Sequence, residues 1–316
     1  MNIVYMGTPE FSITALSALV KAGHDIRAVV TQPDRMRGRG KAVSESPVSC
    51  AARELGIVNI LKPERIKADE EVIRSLKALD ADVFVVCAYG QILSSEILDI
   101  PVSGCINIHA SLLPEYRGAA PIERSIMDGK TVTGISIMRM EKGLDTGPVY
   151  ASESMEIKPD DTGETLRERL SLLGADLMVR CLPGIVDGSL RPEPQDDRAS
   201  TYAHMIGKED CRIDWKKSAG DIERLVRALS PRPGAYSTLN EKVLKIRKAS
   251  VSEASQGSAP YPAPGSVVDI SSGAFSVICG DGSVLNIERL QLEGRKEMDA
   301  ADFLRGFRVE KETMLI

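Results

Sequence analysis

A chain of 316 residues exceeds the usual size of one domain, and with 43% hydrophobic and 27% charged residues it can fill two cores while remaining globular. No apolar run nears the ~20 residues needed to cross a bilayer, and the opening MNIVYMGTPEF carries neither a basic leader nor a cleavage site, so a cytoplasmic chain without a membrane anchor is expected. The net charge of −5 is uneven: 17 basic residues face 16 acidic ones from Lys208 onward, against 23 and 29 before it, so a nucleic-acid partner must be met by local basic patches.

The six cysteines stand singly, without a Cys-x-x-Cys pair, which suggests neither a zinc site nor a disulfide framework. Residues 3–6 form a short apolar strand that runs into the turn Gly7-Thr8-Pro9. Phe11, Ala15, Leu16 and Leu19 then recur at helical spacing up to Gly23. The alternation continues with a strand over 26–30, a helix over 48–55, a short strand over 58–61, a helix over 70–79 and strands over 82–87 and 105–108. This order predicts an α/β domain built on a parallel sheet with helices on both faces.

Two β-rich runs, 133–140 and 149–157, precede an amphipathic helix marked by Leu166, Leu170, Leu173 and Leu177, with Thr162 at its start and Gly184 or Gly188 as its stop. Residues 189–205, with Pro192 and Pro194, read as an extended linker. Beyond it, a helix through Ile222, Leu225, Val226 and Leu229 leads to short strands over 235–239, 243–249, 265–270, 275–279 and 284–290. Short strands with glycine turns suggest a small closed barrel, and the Ser-, Ala- and Pro-rich stretch 252–264 a loop within it. The expected division is a first domain at 1–188, a linker at 189–206 and a second domain at 207–316.

In an open parallel sheet, ligands bind beyond the carboxyl ends of the strands. The strand over 105–108 runs out at Asn107 and His109, which alternation puts on one face. An amide and an imidazole side by side suit an oxyanion developing on a carbonyl carbon. Asp145, in the glycine-bracketed run 140–147, can pair with His109 and carry a proton through water. Taken singly, the histidine also suits a structural role and the aspartate an ordinary turn. Residues 111–118, SLLPEYRG, have no helix or strand period and follow directly as a candidate binding loop. Arg35, Arg37, Arg39 and Lys41 alternate with Met36, Gly38 and Gly40, a pattern that fits either a phosphate-following loop or a solvated one. Neither a Walker loop nor a dinucleotide fingerprint is present.

These residues resemble the methionyl-tRNA formyltransferase family along essentially the whole chain. The resemblance rests on MGTPEF, TQPDRMRGRGK with the following SPV, VVCAYGQIL, GCINIHASLLPEYRGAAPI, GLDTGP and RIDW, in that order. It implies a Rossmann-like catalytic domain and a C-terminal barrel of oligonucleotide-binding (OB) type that faces tRNA. It implies catalysis by Asn107, His109 and Asp145, with 10-formyltetrahydrofolate as formyl donor, initiator methionyl-tRNA as partner, a monomeric state and no metal. By the same resemblance, the folate loop is Ser111, Leu112, Leu113 and Pro114, and the pterin pocket is lined by Val86, Ala88, Tyr89, Gly90, Ile92, Met140 and Gly143. Arg35, Arg37, Arg39 and Lys41 correspond to the loop that enters the acceptor stem. One departure stands out: Ser230-Pro231-Arg232-Pro233 replaces the family's common Asn-Pro-Trp-Pro, which puts that segment's tRNA role in question. The alternatives are a folate-dependent enzyme acting on an amino sugar nucleotide or purine precursor, and a non-catalytic RNA-binding protein on the same scaffold.

Overall fold

Five consecutive apolar residues, Val83–Cys87, make a strand that must be covered on both faces, and they lie near the middle of the sheet that organises the first part of the molecule. The computed structural model describes residues 1–37, 42–252, 262–271 and 273–316. In chain order its first elements are β1 (Asn2–Gly7), α1 (Phe11–Lys21), β2 (Asp25–Val30), β3 (Arg35–Arg37), β4 (Ala42–Ser44), α2 (Pro47–Glu54), β5 (Ile60–Leu61), α3 (Glu70–Ala78), β6 (Val83–Cys87) and α4 (Ser95–Leu98). There follow β7 (Cys105–His109), β8 (Arg117–Gly118), α5 (Pro121–Met127), β9 (Val132–Arg139), β10 (Val149–Glu156), α6 (Gly163–Val186) and β11 (Tyr202–Ala203).

Among the described residues the main sheet has seven strands in the order β10-β9-β7-β6-β1-β2-β5. β7, β6, β1, β2 and β5 pair in parallel, whereas β9 pairs antiparallel with both β7 and β10. Alternation divides the strands between two layers. Val4, Met6, Phe84, Val86 and Cys105 share one buried cluster with Ile73 and Leu76 of α3. On the opposite face the Tyr5 hydroxyl donates to the Ser12 carbonyl of α1, and Gly174 of α6 packs so closely that a Cβ there would lie 2.7 Å from Ile108 Cγ2.

The expected strand over 58–61 contracts to Ile60–Leu61, because Val58 is 95% exposed and offers the sheet nothing to bury. The Thr162 hydroxyl does accept from Thr165 N–H at the start of α6, and the helix passes Gly184 and ends before Gly188, whose φ of +75° turns the chain away. Within residues 189–203, Glu193 bridges Val149 and β11 pairs in parallel with β8, so the Pro-rich stretch runs against the first unit. By contact density that unit comprises 1–121, 132–156 and 167–203, and a second unit comprises 122–131, 157–166 and 204–316.

The second unit contains α7 (Ala219–Ala228), β12 (Tyr236–Leu239), β13 (Lys242–Ser252), β14 (Val267–Ile270), β15 (Phe275–Ile278), β16 (Val284–Leu292), β17 (Met298–Asp299) and α8 (Ala300–Gly306). Its sheet is antiparallel, ordered β12-β13-β16-β15-β14, with β17 added beside β16. The last residues tie its two outer strands: Thr238 and Ile316 exchange backbone bonds of 2.7 and 3.0 Å, while Val267 bonds Thr313 and Glu312. Part of each outer strand is thereby covered, in a curled half-barrel whose outer strands β12 and β14 do not pair with each other among the described residues. Most of the expected loop over 252–264 lies outside the described residues.

Helix α7 begins with a side-chain cap in which the Ser218 hydroxyl accepts from Asp221 N–H at 3.0 Å and donates to its carboxylate at 2.7 Å. Ile222 and Val226 bury the helix face in the core of the second unit. Ser218→Ala is expected to cost about 1 kcal/mol, read as a lower urea midpoint at unchanged slope.

Candidate active site

The chain leaves β1 for β2 and β5 on one side, then crosses to β6 and β7 on the other, so the strand order reverses between β1 and β6. Connections from such neighbours diverge and leave a crevice above their carboxyl ends. Here Thr8 Oγ1 donates to the Tyr89 carbonyl at 2.9 Å, joining the first residue after β1 to the loop after β6. Beside this bond lies a cavity of about 300 Å³ lined by Thr8, Gln32, Pro33, Arg35, Ser44, Ser46 and Gly90.

Next to β6 in the sheet, β7 carries Asn107 opposite Val86 in the parallel register, and His109 one step further out. His109 is 5% exposed. Its Nε2–H donates to the Tyr116 carbonyl at 3.0 Å, which places a hydrogen on Nε2 and leaves Nδ1 as the nitrogen free to exchange a proton. Nδ1 lies 3.7 Å from Asp145 Oδ2. That same oxygen accepts from the Gly118 N–H at 2.8 Å, so the carboxylate is held independently of the imidazole. Asp145 adopts φ +52° in the loop between β9 and β10, a left-handed turn that aspartate tolerates better than most residues. Asn107 is half-buried, and no side-chain hydrogen bond of its amide is found among the described residues.

Of the other predicted residues, Met140 packs on the cluster that contains Val86 and Tyr89. Ala88 (φ +47°) and Gly90 (φ +86°) turn the backbone outward, and Ile92 is 80% exposed. Ser111 to Pro114 lie along β9: Ser136 Oγ donates to the Ser111 carbonyl and accepts from Leu113 N–H, while Leu112 packs on Gly134. Gly143 takes φ +154° beside Thr146.

Residues 1–182 match the model of the formyl transferase family, and residues 205–308 that of the formyl transferase C-terminal domain. Methionyl-tRNA formyltransferase of Lachnospira eligens is 44% identical over 316 residues, covering 100% of this chain and 99% of its own length. The Geobacter metallireducens protein of the same name is 46% identical over 310 residues, covering 98% and 97%. The chain belongs to the methionyl-tRNA formyltransferase family. Its fold is shared by the N-formyltransferase of Helicobacter canadensis, solved with folinic acid and dTDP-3-aminofucose, at a TM-score of 0.66 and 17% identity over 90% of this chain and 98% of that one.

Arg35 NH2 donates to Gln32 Oε1 at 3.4 Å beside the cavity, and Arg37 ends the short hairpin strand β3, whereas Arg39 and Lys41 lie outside the described residues. In the second unit, Lys245 and Arg247 donate to the carbonyls of Pro233 and Pro231, and Lys248 pairs with Glu288 at 2.8 Å. These three basic side chains are thus engaged by the Pro231 and Pro233 carbonyls and by a neighbouring carboxylate.

Sequence reasoning assigned no individual role to Tyr116 or Gly118, which bond His109 and Asp145 directly, although both fall inside the 111–118 run that reads as a binding loop. Arg117 and Gln195 were also missed. Nothing in the composition of 189–205 distinguishes Gln195 from its polar neighbours. Cys87 closes β6 near the crevice, but burial pushes its thiol up to about 12, which suits a core residue and not a nucleophile. Among the described residues no helix is long and apolar enough to cross a membrane.

Proposed function

We propose that this enzyme transfers the formyl group of 10-formyltetrahydrofolate to the α-amino group of methionyl initiator tRNA. The observation that carries the reading is the pairing of His109 Nδ1 with the Asp145 carboxylate at 3.7 Å, on the strand that also presents Asn107. The 86–92 segment suits a flat pteridine: buried Val86 and Tyr89 fix it to the core with Met140 packed against them, and exposed Ile92 and Leu144 gain from being covered. The names of the full-length relatives favour tRNA over a sugar nucleotide or purine precursor as acceptor.

The folate supplies the one-carbon unit. As the neutral amine adds to the formyl carbon, Asn107 and the Nδ1–H of protonated His109 donate hydrogen bonds to its oxygen, while Nε2–H stays on the Tyr116 carbonyl. Asp145 faces the imidazole and helps carry the amine's proton to the folate nitrogen, so that one carbon–nitrogen bond forms as the other breaks. Holding two bound substrates in register lowers the barrier further. Residues 1–188 perform this chemistry, 189–206 join, and the sheet of 207–316 serves as an OB-type platform for tRNA. The enzyme works as a cytoplasmic monomer.

The test is transfer of labelled formyl from formyl folate to charged initiator tRNA, with an amino sugar nucleotide and a purine precursor as competing acceptors. Formylation of either competitor in preference to tRNA overturns the assignment. For the basic loop, Arg37→Ala combined with Arg39→Ala is expected to raise KM for tRNA and to flatten its log–log salt dependence by about 2, with folate affinity unchanged. Unaltered tRNA kinetics would mark the loop as merely solvated.

A further inference from the structure

Gln195 makes four hydrogen bonds with one amide. Its Nε2 donates to the Asp145 carbonyl at 2.9 Å and to the Gly147 carbonyl at 2.6 Å. Its Oε1 accepts from Arg117 Nε at 3.1 Å and Arg117 NH2 at 2.8 Å. Both donors and both lone pairs of the amide are therefore in use. Arg117 is 2% exposed, and besides Gln195 its guanidinium bonds the carboxylate of Asp197 at 2.7 Å, a side chain that is 80% exposed. The residue after it, Gly118, donates the bond that holds Asp145 Oδ2.

The consequence is a closed circuit. Residues 117–118 hold Asp145 twice: at its carboxylate through the Gly118 N–H, and at its main chain through Arg117 and the Gln195 amide. Gly118 sits at φ +118° with Ala203 O so near that a Cβ would lie 2.8 Å away, so this side of the circuit is fixed by β8–β11 pairing. The other side is a loop whose aspartate has left-handed φ and which has no strand pairing of its own between β9 and β10. Its ends are tied by Met140 N–H to the Cys105 carbonyl and by Arg139 N–H to the Pro148 carbonyl, and between Asp145 and Gly147 its main-chain carbonyls are held by the two bonds from Gln195.

We infer that Gln195 is a positioning residue for catalysis, buttressed by buried Arg117 and setting the place of the Asp145 carboxylate beside His109. The inference rests on the reading of Asp145 as a catalytic group. Only an amide can act at this position, because it must accept from a guanidinium and donate to two carbonyls at once. Gln195→Glu separates these tasks: the carboxylate keeps and strengthens the bond to Arg117 but cannot donate to the loop.

The experiment is steady-state formyl transfer by the full-length enzyme, with melting temperature measured on the same samples. Gln195→Glu is expected to lower kcat about 10- to 100-fold, with both KM values within about threefold and melting unchanged. Gln195→Leu is expected to show the same kcat loss together with a lower melting temperature, since Arg117 loses a partner. In an Asp145→Asn background, Gln195→Glu is expected to have no further effect on kcat. A wild-type kcat for Gln195→Glu, or an equal loss in both backgrounds, overturns the positioning role while leaving the Asp145 reading intact. A wild-type rate for Asp145→Asn alone overturns that reading and the inference with it.

Discussion

His109→Ala is expected to lower kcat for formyl transfer by about 100- to 10,000-fold, with the folate dissociation constant changed only a few fold. Its imidazole is the one group in the constellation able both to donate to the formyl oxygen and to exchange a proton, and its ring is oriented by two partners that do not depend on substrate. The Tyr116 carbonyl takes Nε2–H at 3.0 Å, and Asp145 faces Nδ1 at 3.7 Å. Truncation also opens a space at a site only 5% exposed and leaves the Tyr116 carbonyl without that donor. Stability is therefore measured beside activity. A melting curve near that of the wild type with a large fall in kcat identifies a chemical role, whereas equal rates for the two proteins refute the catalytic assignment.

The sheet was legible because its signals are local. Residues 82–87 are apolar enough to be read as a buried strand without reference to anything distant, and the strand lies at Val83–Cys87. The two-residue spacing of Asn107 and His109 likewise follows from strand alternation alone. Asp145 is different: it lies in another loop, and no period links it to His109, so the glycine-bracketed run left pairing and an ordinary turn both open, and the resemblance of GLDTGP chose between them. The bonds that position it were invisible for the same reason. Gln195 reaches main-chain carbonyls of residues 50 and 48 positions earlier, and a backbone acceptor has no amino-acid signature. The curl of the second sheet agrees with the barrel expectation, yet the partners of its last residues, Thr238 and Val267, depend on a chain path that propensity does not encode. The expected strand over 58–61 shrank because solvent exposure of Val58 overrode its β-propensity.

Asp145→Asn isolates charge from shape. The same oxygen, Oδ2, faces both the Gly118 N–H and His109 Nδ1. In the variant the Gly118 N–H still requires an acceptor, so the oxygen of the substituted amide takes that place and remains opposite the imidazole. The geometry survives while the negative charge beside the imidazole is gone. The expected result is a fall in kcat of about 100- to 10,000-fold, with folate affinity kept within a few fold and melting near that of the wild type. Because the carboxylate acts through the imidazole, its loss should matter little once the imidazole is absent: the double variant His109→Ala, Asp145→Asn is expected to be about as slow as the slower single variant. Losses that multiply instead would mean two independent functions, and the proton path through the pair would have to be abandoned. A collapse of folate binding in Asp145→Asn would make the residue part of the pocket wall and leave proton transfer to His109 alone.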